Sequence, residues 1–314
     1  MKTLKVFKFF TLAAVLAMPL VSCSDDDGPN GGDAAPAPEV DGSRLTSING
    51  YTFSYDSKGR LSTVTSGSSS ASQSLKIDYD KGTITETDYD GETSVYNVKF
   101  CEKGYIAQLS ASWNYEEKEG SDRYQYVGNG VINFAYDGNG NLTAISSSTN
   151  ETYKDLTEGE TSTSKQEYTM NYTWKEGNMI SAVENSTEVE DGETDKWKET
   201  YEVTYGTTAN KFLQNTMAIT NIGMEDAEEV LAMAGLFGKG TAKLPASVKE
   251  TEDDKDAYTH TTTYTYQLNE NGSIAEEQGD GYSYVYGYTK TRAAFEGAVK
   301  PLSLRNSFFR KAGK

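Results

Sequence analysis

The chain reads as all-β: an antiparallel up-and-down meander of roughly 14 to 16 strands, closed or nearly closed into a barrel, with one short helical insertion. Three observations lead there. Aromatic and apolar residues recur at every second position, as where Tyr51, Phe53 and Tyr55 alternate with Thr52 and Ser54. One turn pattern recurs along the chain, Tyr-Asp and then a glycine, followed by apolar residues two and five positions on. The hairpins so counted between Leu45 and Thr289 are more than an open twisted sheet carries without curling or splitting.

Residues 1–22 open with Lys2, Lys5 and Lys8 and continue into a 13-residue apolar run, Phe9 to Val21, that ends in Ser22-Cys23. A basic start, a short apolar middle and small residues before a cleavage point describe an export signal. The run is shorter than the about 20 residues a helix needs to cross a bilayer. A cysteine directly after it resembles the lipobox of bacterial lipoproteins, which implies that Cys23 becomes the first residue of the mature chain and carries lipid. Two or more acyl chains anchor a protein stably where one does not. Ser24, Asp25, Asp26 and Asp27 resemble the acidic export tag of surface lipoproteins in the Bacteroidetes, which implies an outer-membrane protein facing the cell exterior. Residues 23–43 hold Gly, Pro, Ala and Asp with almost nothing to bury, and read as a disordered acidic linker.

Residues 44–290 form the meander. Arg44-Leu45-Thr46-Ser47-Ile48 followed by Asn49-Gly50 predicts a tight hairpin of the primed type. Tyr51 to Val64 is the reference copy of the recurring unit, and Val131, Tyr136, Asp137, Gly140, Leu142 and Ile145 repeat it at matching offsets. Phe100, Gly104, Ile106 and Leu109 give a third copy, and Leu268, Gly272 and Ile274 a fourth. In each, Asp can bond nearby backbone N–H groups, and glycine supplies the positive φ that a Cβ penalises. The segments between the copies, Ser66 to Ser74, Glu116 to Arg123, Asn150 to Gln166 and Glu188 to Lys196, are polar and acidic. They read as long loops, gathered at the end of the sheet opposite the glycine turns, and leave strands of only 5 to 8 residues.

Residues 221–245 break the period. Acids, then Val230-Leu231-Ala232-Met233, then Gly235 predict a short helix, with Leu231, Met233, Leu236 and Phe237 plugging one end of the sheet. Gly238-Lys239-Gly240-Thr241 lacks the preceding strand and following helix of a phosphate loop. The last segment, 291–314, is a basic tail with Lys300, Arg305, Arg310, Lys311 and Lys314 beside Phe308 and Phe309; it could pack on an acidic loop, touch the membrane or be disordered.

Charge limits the partners. Loss of residues 1–22 removes three lysines and no acid, taking the net charge from −18 to −21, so nucleic acid would have to approach against a repulsive field. With Cys23 lipidated, Cys101 is the one thiol left, which rules out an internal disulfide, and its place on an alternating strand reads as a small buried group. His260, the single histidine, sits in no Ser-His-Asp or Cys-His constellation, and there is no Cys/His cluster for zinc. Asp137-Gly138-Asn139-Gly140-Asn141 offers oxygens at alternate positions, yet the matching turn holds Lys58, so a turn describes it better than a calcium loop. The reading is of a non-enzyme with no cofactor and no metal.

The Tyr-Asp-x-x-Gly-x-Leu hairpins, together with the insertion from Leu236-Phe237-Gly238 to Leu244-Pro245, resemble a Bacteroides group of surface lipoproteins of unknown function with a porin-like fold. The resemblance covers residues 44–290 and implies a barrel-like meander and no activity. A barrel in lipid would need strands of 9 to 11 residues and an apolar outward face; short strands and an alternating face of tyrosine favour a barrel standing in water. The 22 tyrosines, in stripes such as Tyr282, Tyr284, Tyr286 and Tyr288, read mainly as cross-strand core packing. Trp113, Trp174 and Trp197 are the candidate ligand-binding residues, lying near strand ends or loops. Three functions follow in order: a noncatalytic binder of a glycan, a host molecule or a membrane-protein partner; a carrier of a small apolar ligand inside the barrel; and a glycosidase built on carboxylates alone.

Overall fold

In a computed structural model, the structure describes residues 34–40, 42–68, 71–88, 91–119, 121–212, 222, 226–252 and 258–289. Cys23, Ser24, Asp25, Asp26 and Asp27, and the basic tail beyond residue 290, lie outside them. The first strands are short: β1 (Leu45–Ile48), β2 (Tyr51–Tyr55), β3 (Leu61–Ser68), β4 (Ala71–Asp78), β5 (Thr83–Thr87) and β6 (Thr93–Phe100). Six long ones follow: β7 (Ile106–Glu119), β8 (Asp122–Tyr136), β9 (Leu142–Asp155), β10 (Thr161–Lys175), β11 (Asn178–Glu190) and β12 (Glu193–Ala209). After helix α1 (Asp226–Met233) come β13 (Lys243–Glu252), β14 (Thr259–Thr263), β15 (Thr265–Leu268), β16 (Ile274–Gly279) and β17 (Tyr282–Tyr288).

The strands form one antiparallel sheet in which β1 to β13 each pair with the next in sequence, β15 to β17 do likewise, and β17 returns to pair with β1. The expected all-β meander is therefore a nearly closed barrel of 17 strands. The one irregular stave is β14 with β15: β14 bonds to β13, β15 bonds to β16, and between them Tyr264 donates its N–H to Ala246 O at 2.9 Å. The chain thus hands its ladder from one neighbour to the other halfway along the wall.

Hairpin direction sorts the connections onto two ends. The turns of the recurring unit, at Gly59, Gly104, Gly140, Gly177 and Gly272, lie at the lower end, but Gly50, Gly91, Gly159, Gly192 and Gly281 take positive φ in turns at the other, so glycine turns are not confined to one end as expected. At Asp56 and Asp137 the carboxylate accepts backbone N–H groups from Lys58 and Arg60 and from Asn139 and Asn141, each at 2.9 Å, while Gly59 and Gly140 take φ of 78° and 87°. Asn49 and Gly50 both have positive φ, 44° and 86°, the primed hairpin.

Inward side chains of the lower barrel form a single core. Tyr51, Leu75, Ile84, Ile106, Leu109, Met170, Met179 and Tyr286 are fully buried, and Cys101 is buried among them. α1 and the turn after it seal the lower end. Leu231, Met233, Leu236 and Phe237 are buried as expected, and Phe237 stacks on Phe134 at 4.5 Å. Backbone bonds tie the plug to the turns above it: Ile106 N–H to Leu236 O at 2.8 Å, Lys239 N–H to Gly140 O at 2.9 Å, and Ala242 N–H to Gly177 O at 2.8 Å. Each plug side chain contributes roughly 1.5–3 kcal/mol by leaving water.

Two expectations are corrected. Part of the segment read as disordered linker, residues 34–40, runs across the lower end: Ala35 N–H donates to Gly104 O and Ala37 N–H to Gly59 O, both at 3.0 Å, with Ala34 and Ala37 buried. Small residues suit it to a shallow seam between turns. Secondly, strands β7 to β12 run 13 to 17 residues, not 5 to 8. The stretches Glu116 to Arg123, Asn150 to Gln166 and Glu188 to Lys196 are largely strand, because Thr, Tyr, Val and Ser at alternate positions sustain the ladder despite the charges between them. At ~3.3 Å per residue these six strands rise roughly 40–55 Å, whereas β1, β2, β16 and β17 on the far side have 4 to 7 residues. The barrel is a cup with one raised wall.

Candidate functional site in the acidic, aromatic mouth

Strand alternation decides what the raised wall presents to the inside. Along β7 the inward residues are Leu109, Ala111, Trp113, Tyr115 and Glu117, and pairing carries each row across the sheet. The row through Tyr115 continues to Tyr126 and Tyr153. These rings stack, Tyr115 on Tyr126 at 5.0 Å and Tyr126 edge-on to Tyr153 at 5.4 Å, with Tyr124 on Tyr153 at 5.6 Å. All four are half-exposed, with no other described residue packed over them.

One row lower, Trp113 lies against Gly128, its register partner on β8. A Cβ at position 128 would sit 2.5 Å from the indole and 2.7 Å from Asn150 O; only glycine lets the ring lie over the strand. From there its Nε1–H reaches across to β9 and donates to Glu151 Oε2 at 2.9 Å. Tyr115 is pushed up to about 12 by burial and then by the neighbouring Glu151 and Glu117 carboxylates.

On β11 to β14 the inner face is more acidic. Pairing aligns Glu184 with Glu199 and Glu252, and, in the next row, Tyr201 with Glu250 and His260. Oxygens of Glu199, Glu250 and Glu252 lie within 4.8 Å of one another. Tyr201 donates its hydroxyl to Glu199, and its own ionisation is driven up by burial, by that hydrogen bond and by Glu184. The Glu250 carboxyl is raised by burial and then by its neighbours Glu199 and Glu252, with His260 acting the other way. His260 faces Asp280 at 3.6 Å and stacks beside Tyr258.

The same alternation sends the cations outward. Lys118, Lys154, Lys165, Lys196, Lys198 and Lys249 occupy the opposite parity and are exposed. Several pair there: Lys165 with Glu167 at 2.6 Å, Lys249 with Glu202 at 3.4 Å and Arg123 with Glu116. Most outward positions between them are Ser, Thr, Asn and Gln, as in Gln108 bonded to Asn133 and Gln125 to Asn114, with Val127, Val183 and Val189 among them. No helix among the described residues is long and apolar enough to cross a membrane, and the exposed large apolar residues described, such as Val95, Val127, Ile180 and Leu268, lie on separate strands. A barrel in lipid needs an outward apolar band ~25 Å tall, and the described outward positions of β7 to β12 are mostly polar.

The three tryptophans are placed differently. Trp113 and Trp197 face the mouth, Trp197 opposite Ser186 and two residues from Glu199. Trp174 belongs to the lower end, one residue before the end of β10, where its indole donates to Leu142 O at 2.7 Å. The stripe Tyr284, Tyr286 and Tyr288 is buried core. The turn at Asp137 keeps its carboxylate on Asn139 and Asn141, and Lys239 N–H is engaged in the plug. Sequence reasoning missed Glu184, Glu199, Glu250, Glu252 and the Tyr115, Tyr126, Tyr153 row. The available signal was Val127-Gly128-Asn129-Gly130-Val131, where glycines inside an alternating pattern mark a close approach.

No protein family matches the chain, and no curated protein does. Two crystal structures resemble it in chain trace. One is a porin-like protein from Bacteroides uniformis ATCC 8492, at 19% identity over 76% of this chain and 89% of that one, with a TM-score of 0.42. The other is a porin-like protein from Bacteroides vulgatus ATCC 8482, at 11% identity over 77% of this chain and 97% of that one, with a TM-score of 0.48. At scores this low the barrel stands on its own ladders.

Proposed function

We propose that this is a noncatalytic binding protein, held by lipid at Cys23 on the outer membrane and facing the cell exterior, whose mouth holds its ligand against the inner face of the raised wall. The observation that carries the reading is the contrast in cover: the lower interior is sealed by a plug, while Trp113, Tyr115, Tyr126 and Tyr153 form an uncovered aromatic surface in the same barrel. Aromatic rings left open beside hydrogen-bonding groups are the usual anchors of recognition surfaces. The apolar side chains that a carrier would use to line a cavity pack on each other and on α1, which weighs against an enclosed apolar ligand. The chain enters the barrel at its lower end, with 34–40 across the glycine turns, so a tether at Cys23 would direct the mouth away from the membrane.

Two measurements test this. Cys23→Ala should release the protein from the membrane fraction. A thermal-shift screen of glycans, organic ions and peptides on the full-length protein in detergent should find a ligand that stabilises it and not its Trp113→Ala or Tyr126→Ala variants; a screen in which every hit stabilises all three proteins equally sinks the reading. One observation favours a second reading, a carboxylate glycosidase: the Glu250 carboxyl, raised by burial and by its neighbours, lies beside Glu199 and Glu252, and paired carboxyl groups are what acid–base hydrolysis uses. Oligosaccharide cleavage abolished by Glu250→Gln would establish it.

A further inference from the structure

Resting on the binding reading above, we propose that the occupant of the mouth is a flexible organic polycation, a chain bearing alkylammonium or guanidinium groups. Three features of the wall select for it. The first is the sheet face itself: an indole lying over Gly128 and a row of three tyrosines, all half-exposed and on the inward parity. Such faces carry negative potential at their centres and attract cations within about 6 Å.

The second is the sorting of charge. On the upper parts of β7 to β13 among the described residues, inward charged positions are acids, Glu117, Glu151, Glu184, Glu199, Glu250 and Glu252 among them, while the lysines and Arg123 point outward. Of those cations, Lys165, Lys249 and Arg123 are engaged with Glu167, Glu202 and Glu116 on the outer face. By strand parity the charged side chains of the described inner wall are acids, and His260 is the inward basic group in the row of Tyr201 and Glu250.

The third is reach. The Trp113 assembly on β7 to β9 and the Glu199, Glu250 and Glu252 group on β11 to β13 share one inner face, with Gln166, Ser164 and Ser162 of β10 between them. A compact inorganic ion would use the carboxylate group and leave the rings idle. A neutral sugar would use the rings, yet would find acceptors on every side and few donors. A chain with spaced cationic nitrogens meets both, its methylenes on the rings and its charges on the carboxylates.

The test is calorimetric titration of the full-length protein in detergent with spermine, beside calcium and a neutral hexasaccharide. Spermine should bind and quench tryptophan fluorescence, and binding should weaken as salt rises. Trp113→Ala and the isosteric double change Glu250→Gln with Glu252→Gln should each weaken it about tenfold with unchanged circular dichroism. Trp113-dependent binding of the hexasaccharide without spermine would overturn the polycation and leave the mouth as a binding site. Calcium binding as tightly as spermine and displacing it would overturn it in favour of an inorganic ion. Spermine affinity equal in all variants would also overturn it, as attraction to a net-negative surface.

Discussion

Two tyrosines on one strand are used in opposite ways. Tyr136, at the lower end of β8, is 3% exposed and donates its hydroxyl to Ile106 O at 2.6 Å. Tyr126, ten residues earlier on β8, lies half-exposed between Tyr115 and Tyr153. Both obey the same alternation and face the same way. What separates them is what stands opposite: below, a helix and turn fill the barrel; above, the wall has outgrown its far side. Inward, therefore, is not the same as buried, and the unburied part of an inward face is where a barrel of this shape can meet other molecules.

The sharpest way to break this comparison is to truncate one ring from each half. Phe237→Ala should cost ~3–5 kcal/mol, as large-to-small changes in a filled core do, read from urea unfolding. Tyr126→Ala should cost only about 1 kcal/mol, the scale of a cross-strand aromatic pair. Equal losses would mean that the upper wall is packed after all.

Next is a pH measurement at the core. Glu277 is fully buried, and burial pushes its carboxyl up to about 8, against hydrogen bonds from Tyr286 at 2.7 Å and Tyr282 at 3.4 Å. Unfolded, it would titrate near 4.5. An acid whose folded value is raised lends its full stability below the unfolded value and loses it as pH climbs towards the folded one. The protein should lose roughly 4 kcal/mol from this group between about pH 4.5 and 8. Glu277→Gln should flatten that slope; a slope unchanged in the variant would show that Glu277 is not held neutral.

Smaller effects come from the wall. Gly128→Ala should dislodge Trp113 from Glu151 and red-shift its emission, while lowering stability by about 1 kcal/mol, because the indole can swing into the open mouth. Smallest is Lys249→Ala, which removes an exposed outward pair with Glu202 and should move stability by less than about 0.5 kcal/mol.

Turn chemistry was the most legible part of the sequence, since Asp56 and Asp137 act within five residues and their glycines have one backbone reason to be there. The plug was legible too, because Leu231, Met233, Leu236 and Phe237 interrupt a period of two. The raised wall was not. Glu116 to Arg123 looks like a loop when charge is taken as a sign of exposure, yet in an open wall a charged strand is solvated on both faces and loses little. The acidic group was hidden for a related reason: Glu184, Glu199 and Glu250 are far apart in sequence, and only the registers of β11, β12 and β13 align them. Trp113 could be picked out as a candidate, but its partner Glu151 belongs to a strand two hairpin arms away.

The lopsided rim has a consequence for how anything could be taken up. A well of even height admits only what can descend end-first. Here β16, β17, β1 and β2 stop after 4 to 7 residues while β7 to β12 continue, leaving a backboard over a low sill. A long thread could be laid sideways against that backboard at any point along its length and trail off over the sill in both directions, so that neither of its tips would ever have to be found.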